Sequence, residues 1–214
     1  MPEKRFATAA LSKTSRKRKF RMRRVAIFGL VLLLGSLGVP AMFGSAFYIP
    51  EAKQPEGFPP PGKVNEIVVK QYPVYRSATV KSSADGQTRL FGTLFNHIKE
   101  NKIAMTAPVE MSFDDDRSQT MAFLYANTEI GKTGAEGRVL VADQQPTTVV
   151  SVAVRGSYNE QRLRKYEGQL QTWIEDNPSW EVAGVTRYLG FNSPFVPSFM
   201  RYGEVQIPIK KRGN

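Results

Sequence analysis

The feature that most constrains this chain is an uncharged apolar run, Val25–Pro50, directly after a strongly basic tail. Residues 1–24 hold ten Lys and Arg against one Glu, which gives +9 of the total net charge of +11. The stretch from Val25 to Phe47 exceeds the roughly 20 apolar residues that a helix needs to cross a bilayer. Because cationic residues stay on the cytoplasmic side, the sequence predicts a basic cytoplasmic tail (1–24) and a single-pass transmembrane anchor (25–47). The folded domain would then lie on the periplasmic or extracellular side.

Two other interpretations of the apolar run stay open. A cleaved signal peptide would have its apolar core at 25–39, with Pro40 ending the helix and residues 44–46 forming a small-x-small cleavage site. A buried core helix is the third interpretation, although the run lacks a polar face. The anchor and the signal peptide both export the domain.

Charge and composition exclude several kinds of function. Outside the tail the chain is almost neutral, so a basic nucleic-acid-binding face is not expected. The absence of Cys excludes disulfides, thiolate nucleophiles and Cys-ligated metal sites. A single His, His97, also excludes a multi-His metal centre.

The remaining chain divides into a Pro-rich linker (48–63) and one domain (64–214) of the α+β class. Apolar stripes predict helices over about 87–100 and from near Ser157 to Asn177, the second with Ser157 and Glu160 at capping-box spacing. Residues 127–146 are polar and rich in Gly, which predicts a long connection. Alternating apolar residues predict strands at 64–70, 74–80, 103–113, 120–126, 147–156, 186–191 and 203–209.

The order strand, long helix, strand, strand occurs twice in this pattern. Two such βαββ units can pair into one curved antiparallel sheet or barrel with two helices packed on it. The repeat is one of pattern and not of residue identity.

Four separated segments resemble the SOUL haem-binding-protein family, in the family's order. The most specific is the string Ile103–Met111, IAMTAPVEM, just after a helix rich in Leu and Phe. The others are Tyr72–Tyr75, Gly156–Trp173, and Tyr188–Pro197 followed by Arg201–Val205. The resemblance implies a distorted antiparallel β-barrel of two βαββ pseudo-repeats with two flanking helices. It also implies that haem or another tetrapyrrole binds in an apolar groove near the first helix. Together with the anchor predicted from the apolar run, this gives the hypothesis of a membrane-tethered carrier, buffer or sensor.

Under that hypothesis three kinds of residue are candidates for the haem site. A large ring needs apolar walls, iron takes an imidazole or thioether ligand, and propionates pair with cations. Each candidate also has a structural alternative, as core, boundary or solvated surface residue. The candidates are Phe91, Leu94, Phe95 and Ile98 for the walls, His97 for iron with Met105 and Met111 as substitutes, and Lys81, Arg89 and Lys102 for the propionates.

Other functions stay open. The sequence has no nucleophile elbow and no phosphate-binding Gly loop, but Glu110 and Glu204 could form a carboxylate pair of a small-molecule hydrolase or drug-binding module on the same fold. A domain that binds no ligand and serves in interactions is the other alternative. The run Asp114–Asp116 is interpreted as a hairpin turn rather than a calcium loop, because no Gly or distant Glu completes such a loop.

Overall fold

The computed structural model describes residues 52–113, 118–193 and 195–213. In these ranges the chain forms ten strands and two α-helices, with a 3-10 helix at Ser198–Met200. In chain order the elements are β1 (Ile67–Tyr72), β2 (Tyr75–Ser82), α1 (Gln87–Glu100), β3 (Val109–Phe113), β4 (Gln119–Leu124), β5 (Gly134–Glu136), β6 (Val139–Gln144), β7 (Thr147–Arg155), α2 (Glu160–Asp176), β8 (Trp180–Val182), β9 (Arg187–Gly190) and β10 (Tyr202–Lys211).

All ten strands belong to one antiparallel sheet. Its order is β1-β7-β10-β9-β3-β4-β2-β6-β5, and β8 pairs with the end of β10. No ladder joins β1 to β5 in the described ranges, so the sheet is open and the predicted closed barrel is wrong. Closure requires hydrogen bonds between the two outer strands, and β5 is only three residues long. The α+β class is confirmed, whereas the pseudo-repeat stays a prediction.

The two faces of the sheet differ because side chains alternate along each strand. One face is apolar and packs against both helices; there Val205, Ile207 and Ile209 of β10 join the largest core cluster. From α1 that cluster includes Leu90, Leu94 and Ile98, and from α2 Leu163, Leu170 and Ile174. The opposite face carries polar and aromatic side chains and two smaller apolar clusters.

Both predicted helices are confirmed, but the N-terminal cap of the second differs from expectation. Gly86 precedes α1 and offers no side-chain cap. At α2 the cap is Asn159, whose side chain accepts a hydrogen bond from the backbone N–H of Arg162, and not Ser157. A capping residue two positions later starts the helix at Glu160.

Two strand-level predictions are wrong. Residues 103–108 form no strand, since β3 begins at Val109 after a cis peptide bond between Ala107 and Pro108. The predicted connection at 127–146 contains the β5–β6 hairpin, whose β6 pairs with β2. The missed strand β6 begins with the short apolar run Val139–Ala142 inside an otherwise polar, Gly-rich segment, and the three exposed residues of β5 pair with it at the edge of the sheet.

The predicted tail, the anchor, the cleavage site and the Asp114–Asp116 turn lie outside the described residues. Within the described ranges, neither α-helix has the length and hydropathy required of a membrane span.

Two neighbouring positions on α1 test this division between core and surface. Leu94→Ala is expected to lower the free energy of unfolding by about 2–5 kcal/mol, because the side chain is fully buried and its removal leaves a cavity. Phe95→Ala should cost much less, since Phe95 is 45% exposed. Urea unfolding of residues 52–214, followed by circular dichroism, measures both. Equal losses at the two positions would contradict this packing.

Candidate functional site

The structure separates the wall residues expected on α1 into two groups. Leu94 and Ile98 are buried in the core beneath the helix, and Met111 of β3 joins them there. Phe91 is half-buried and packs edge-on against Phe123 at 5.0 Å between ring centroids. Of the four predicted wall residues, only Phe95 is well exposed, and it stacks on Phe91 at 6.1 Å.

His97 is buried, and both of its ring nitrogens have partners. Nε2 lies 2.8 Å from the hydroxyl of Tyr125, and Nδ1 lies 3.1 Å from a carboxylate oxygen of Glu136 on β5. The two contacts are satisfied together when Nδ1 donates to Glu136 and Tyr125 donates to Nε2. Burial, and next the charge of Glu136, raises the pKa of Tyr125 to about 12, so its hydroxyl keeps its proton. His97 therefore links α1 to the β5–β6 hairpin.

The remaining predicted residues lie at the surface. Arg89 pairs with Asp85 at 2.8 Å, and its side chain is 74% exposed. Lys102 follows the end of α1 at a positive φ of 54°, and Lys81 is an exposed residue of β2. Met105 is 39% exposed and lies in the loop before β3, so it shares no strand face with Met111.

A groove of about 1060 Å³ lies on the helical side of the sheet. From α1 it is bordered only by Gln87, at the start of the helix. None of the ten predicted site residues lines it. Its apolar walls are Phe113, Tyr158, Leu163, Val182, Val185 and Ile207.

The groove has an aromatic wall and a charged rim. Tyr158 stacks on Phe113 at 5.3 Å and meets Tyr188 edge-on at 5.5 Å. Burial, followed by the nearby charge of Glu160, raises the pKa of Tyr158 to about 12, so the phenol is neutral at pH 7. Among the described residues that line the groove, Arg164 is the only cation, and Glu160 and Glu167 are the anions. The aromatic and aliphatic walls suit the flat face of a large ring, and the guanidinium of Arg164 suits a carboxylate at the edge of that ring.

Sequence reasoning missed this groove because its residues come from distant segments. The apolar stripe of the second predicted helix includes Leu163, but only as a packing residue, and the pattern does not single out Tyr158. Val182 and Val185 stand in short segments with no strong pattern. No signal in the sequence brings these segments together.

The opposite face of the sheet holds a buried ion pair. Nζ of Lys70 lies 2.7 Å from Oε1 of Glu204, and both side chains are almost fully buried. Burial opposes ionisation of Glu204, but the ammonium of Lys70 and hydrogen bonds from the Gly62 N–H and the Ser151 hydroxyl outweigh it. The pKa of Glu204 is therefore below its ordinary value, and the carboxylate stays ionised.

A second ion pair lies beside the first. Nη1 of Arg187 contacts Oε2 of Glu110 at 3.1 Å and donates to the hydroxyl of Tyr75 at 3.0 Å. Gln206 joins the two pairs, since its amide accepts from Arg187 at 3.0 Å and donates to Glu204 at 2.9 Å. The face thus carries one continuous polar network.

This network does not bring the two carboxylates proposed for hydrolysis together. Glu110 and Glu204 both stand opposite Leu189, on the strands at either side of β9. Two strand spacings separate their Cα atoms by about 10 Å. Each carboxylate is also held by its own cation, Arg187 or Lys70, and so is a poor general base.

A small cavity of about 200 Å³ also opens on this face, beside Tyr75 and Glu110. Its other lining residues are small or polar, among them Ser77, Thr79 and Gln144. It is too small for a tetrapyrrole.

Residues 53–62, here called the strap, lie across the polar face. The ring of Phe58 meets Tyr72 and Tyr75 edge-on, at 4.9 and 5.1 Å between centroids. The strap lies within the segment that the sequence predicts as a linker.

Backbone hydrogen bonds fix both ends of the strap. Near its start, the carbonyl of Lys53 accepts from the Ala107 N–H at 3.0 Å. At its end, the Gly62 N–H donates to Glu204 at 2.8 Å, and the Gly62 carbonyl accepts from the Tyr202 hydroxyl at 2.6 Å. The strap therefore covers the ion pair of Glu204.

Removing Lys70 should expose the cost of this buried charge. Lys70→Met is expected to destabilise the domain by about 3–5 kcal/mol at pH 7, because it leaves Glu204 ionised, buried and without its cation. In the wild type the pKa of Glu204 is lower in the folded state than in the unfolded state. Its ionisation therefore stabilises the fold above the unfolded pKa, and this stabilisation is lost as the pH falls through the folded pKa. The loss in Lys70→Met should therefore shrink toward pH 4, where Glu204 of the variant takes up a proton.

Lys63→Met, at an exposed position, is the matched control and should have little effect. Urea unfolding between pH 4 and pH 8 measures both variants. A loss at Lys70→Met that does not depend on pH would contradict the electrostatic explanation.

Comparison with solved structures gives the fold but not the function. The C-terminal domain of EcmrR is 16% identical over 69% of this chain and 98% of its own, with a TM-score of 0.54. A chain of an EcmrR–DNA complex is 18% identical over 69% of this chain and 58% of its own, with a TM-score of 0.56. A hydrolase from Listeria innocua is 12% identical over 71% of this chain and 94% of its own, at 0.53. At such identities only the architecture is shared.

Sequence comparison gives the family. Comparison with curated proteins finds no significant match. The family model described as SOUL heme-binding protein matches residues 63–208, which is most of the chain and nearly all of the described sheet and helices. Haem is consistent with membership of such a family. The chain belongs to the SOUL haem-binding family.

Proposed function

We propose that this protein binds haem or a related tetrapyrrole in the groove between the helices, as a carrier, buffer or sensor. The family match over residues 63–208 is the observation that carries the proposal. The groove supports it, because its volume of about 1060 Å³ accommodates a tetrapyrrole. The small cavity on the opposite face does not.

The groove would hold the ligand mainly through apolar contacts. Tyr158, Leu163 and Val185 would contact the ring, and Arg164 would pair with a propionate. Arg164 now pairs with Glu160 at 2.8 Å, but both side chains are 67% exposed, so this ion pair is weak and easily exchanged. When bound, haem supplies an iron for redox chemistry or for binding small ligands.

Ligation of iron by His97 would require a rearrangement. The imidazole would have to give up its contact with the buried hydroxyl of Tyr125 or with the half-exposed carboxylate of Glu136. Loss of the Tyr125 contact would leave a buried hydroxyl without that hydrogen bond. The proposal therefore assigns His97 a structural role, and Phe95 and Met105 remain the predicted residues that a ligand at α1 could reach.

Substitutions at three apolar residues of similar exposure test where haem binds. Val185 in the groove is 49% exposed, Phe95 on α1 is 45% exposed and Val74 is 44% exposed and lines neither cavity. Val185→Asp should weaken haemin binding at least about tenfold, or ~1.4 kcal/mol, because it places a carboxylate against the apolar ring. Phe95→Asp and Val74→Asp should leave the affinity unchanged. Titration followed at the Soret band measures all three.

The outcomes of this titration separate the hypotheses. A loss of haemin affinity in Phe95→Asp alone would show that haem binds beside α1, at the residues predicted from sequence. Binding by the wild type that does not saturate at one haemin per chain would contradict the family-based function itself.

We also propose that residues 25–47 anchor the protein in a membrane, with the tail cytoplasmic and the domain exported. The support is the uncharged run beside ten basic residues. Cleavage after a signal peptide is the competing outcome.

Membrane extraction tests the anchor. The full chain should stay in the membrane pellet after carbonate treatment, whereas the double variant Leu33→Arg, Leu34→Arg should be extracted, since each Arg costs about 2.5–3.5 kcal/mol at the centre of a span. Added protease should digest the domain in intact cells if it is extracellular, or in spheroplasts if it is periplasmic. A released chain whose N-terminus lies near residue 47 would show cleavage instead.

A further inference from the structure

The loop between β9 and β10 exposes two phenylalanines to an unusual degree. The exposed fraction is 93% for Phe195 and 75% for Phe199, and the next residue, Met200, is 38% exposed. Single exposed apolar residues need no explanation. Two exposed aromatic rings within five positions, followed by a methionine, mark an interaction surface.

Hydrogen bonds hold this loop in place, although the two phenylalanine rings remain exposed. Arg201 donates from Nε to the carbonyl of Val196 at 2.8 Å and from Nη1 to the hydroxyl of Ser157 at 2.9 Å. Arg155 donates to the carbonyl of Met200 at 2.7 Å. The 3-10 helix Ser198–Met200 orders the segment further. Because these contacts hold residues 196–201 in place, a partner that receives the rings has little ordering entropy to overcome.

The loop lies at the end of the sheet where the strap begins. Val109, the first residue of β3, stands opposite Gly190, the last residue of β9. The loop begins directly after Gly190, and Phe195 is five residues further along. Two residues before Val109, the N–H of Ala107 donates to the carbonyl of Lys53. The described chain therefore starts at this same end.

Little chain separates that start from the apolar run. The predicted span ends at Phe47, and the five residues from there to Ala52 reach at most about 17 Å. A bilayer crossed by residues 25–47 is thus the surface within reach of the loop. This step rests on the anchor proposed above.

We infer that Phe195 and Phe199 dock this end of the domain onto the lipid surface of the membrane in which the chain is anchored. Aromatic rings are favoured at the membrane–water interface, where Phe195 and Phe199 would leave water. Two rings alone bind a bilayer weakly, but the tether makes docking intramolecular and raises the effective lipid concentration. Docking fixes the orientation of the domain instead of leaving it free on a linker.

Single-cysteine labelling tests this directly, because the chain has no native Cys. The full chain carrying Phe199→Cys, labelled with an environment-sensitive nitrobenzoxadiazole dye, is reconstituted without haem into phosphatidylcholine vesicles. The emission should shift to the blue, and lipids with a spin label near the headgroup should quench most of it. The control is Lys210→Cys, an exposed position on β10 beside β8, at the end of β10 opposite the loop, which lines neither cavity. Its dye should remain in water and escape quenching.

Flotation of the same vesicles separates the two proposals. If the labelled chain does not float with lipid, the anchor fails, and the docking inference fails with it. If it floats but the dye at position 199 is neither shifted nor quenched, the anchor stands and docking is overturned. A blue shift without quenching by lipid would place the rings against another protein surface, such as a second copy, and would also overturn lipid docking.

Discussion

The width of the apolar sheet face is the constraint on which the rest of this structure depends. Nine strands in the main order span about 40 Å at roughly 4.8 Å per strand. Two helices, each about 10 Å wide, cannot cover that face completely. α1 packs over β2, β4 and β6, whereas α2 packs over β7, β8 and β10. The uncovered space is the groove bordered by Phe113, Tyr158 and Val185, so the candidate ligand site is a consequence of how the sheet is covered.

The opposite face of the sheet buries charged side chains, and each of these charges needs a partner of opposite sign. Lys70 with Glu204 and Arg187 with Glu110 are each matched one to one, and Gln206 joins the pairs. A buried pair adds little net stability over an apolar one, but breaking it is costly, and it fixes geometry. Here the carboxylate of Glu204 also holds the strap through the Gly62 N–H. The polar face is thus closed by a segment of low-complexity sequence rather than by a third helix.

The groove and the loop of the two proposals are adjacent at the start of α2. Arg201 of the loop donates to the hydroxyl of Ser157, and the next residue, Tyr158, lines the groove. From there the groove extends to Phe113, at the end of β3 that lies about 14 Å along the strand from Val109. The distant relatives in fold show that this architecture serves several functions, so the site and not the fold has to decide.

Sequence by itself determined the α+β class, both long helices, most strands and the family, because these follow from local periodicity and from a motif such as Ile103–Met111. The sequence also shows that most of the net positive charge lies in residues 1–24, and folding does not alter the position of charges along the chain. Only the tertiary structure decided that the sheet stays open and that His97 is engaged by Tyr125 and Glu136. His97 contacts Glu136 of the β5–β6 hairpin, which the sequence predicted as a polar, Gly-rich connection, so its pairing could not be predicted. Whether an apolar residue becomes part of the core or remains available to a ligand depends on contacts with segments far away in sequence. The local pattern of apolar residues does not show which distant segments will make those contacts.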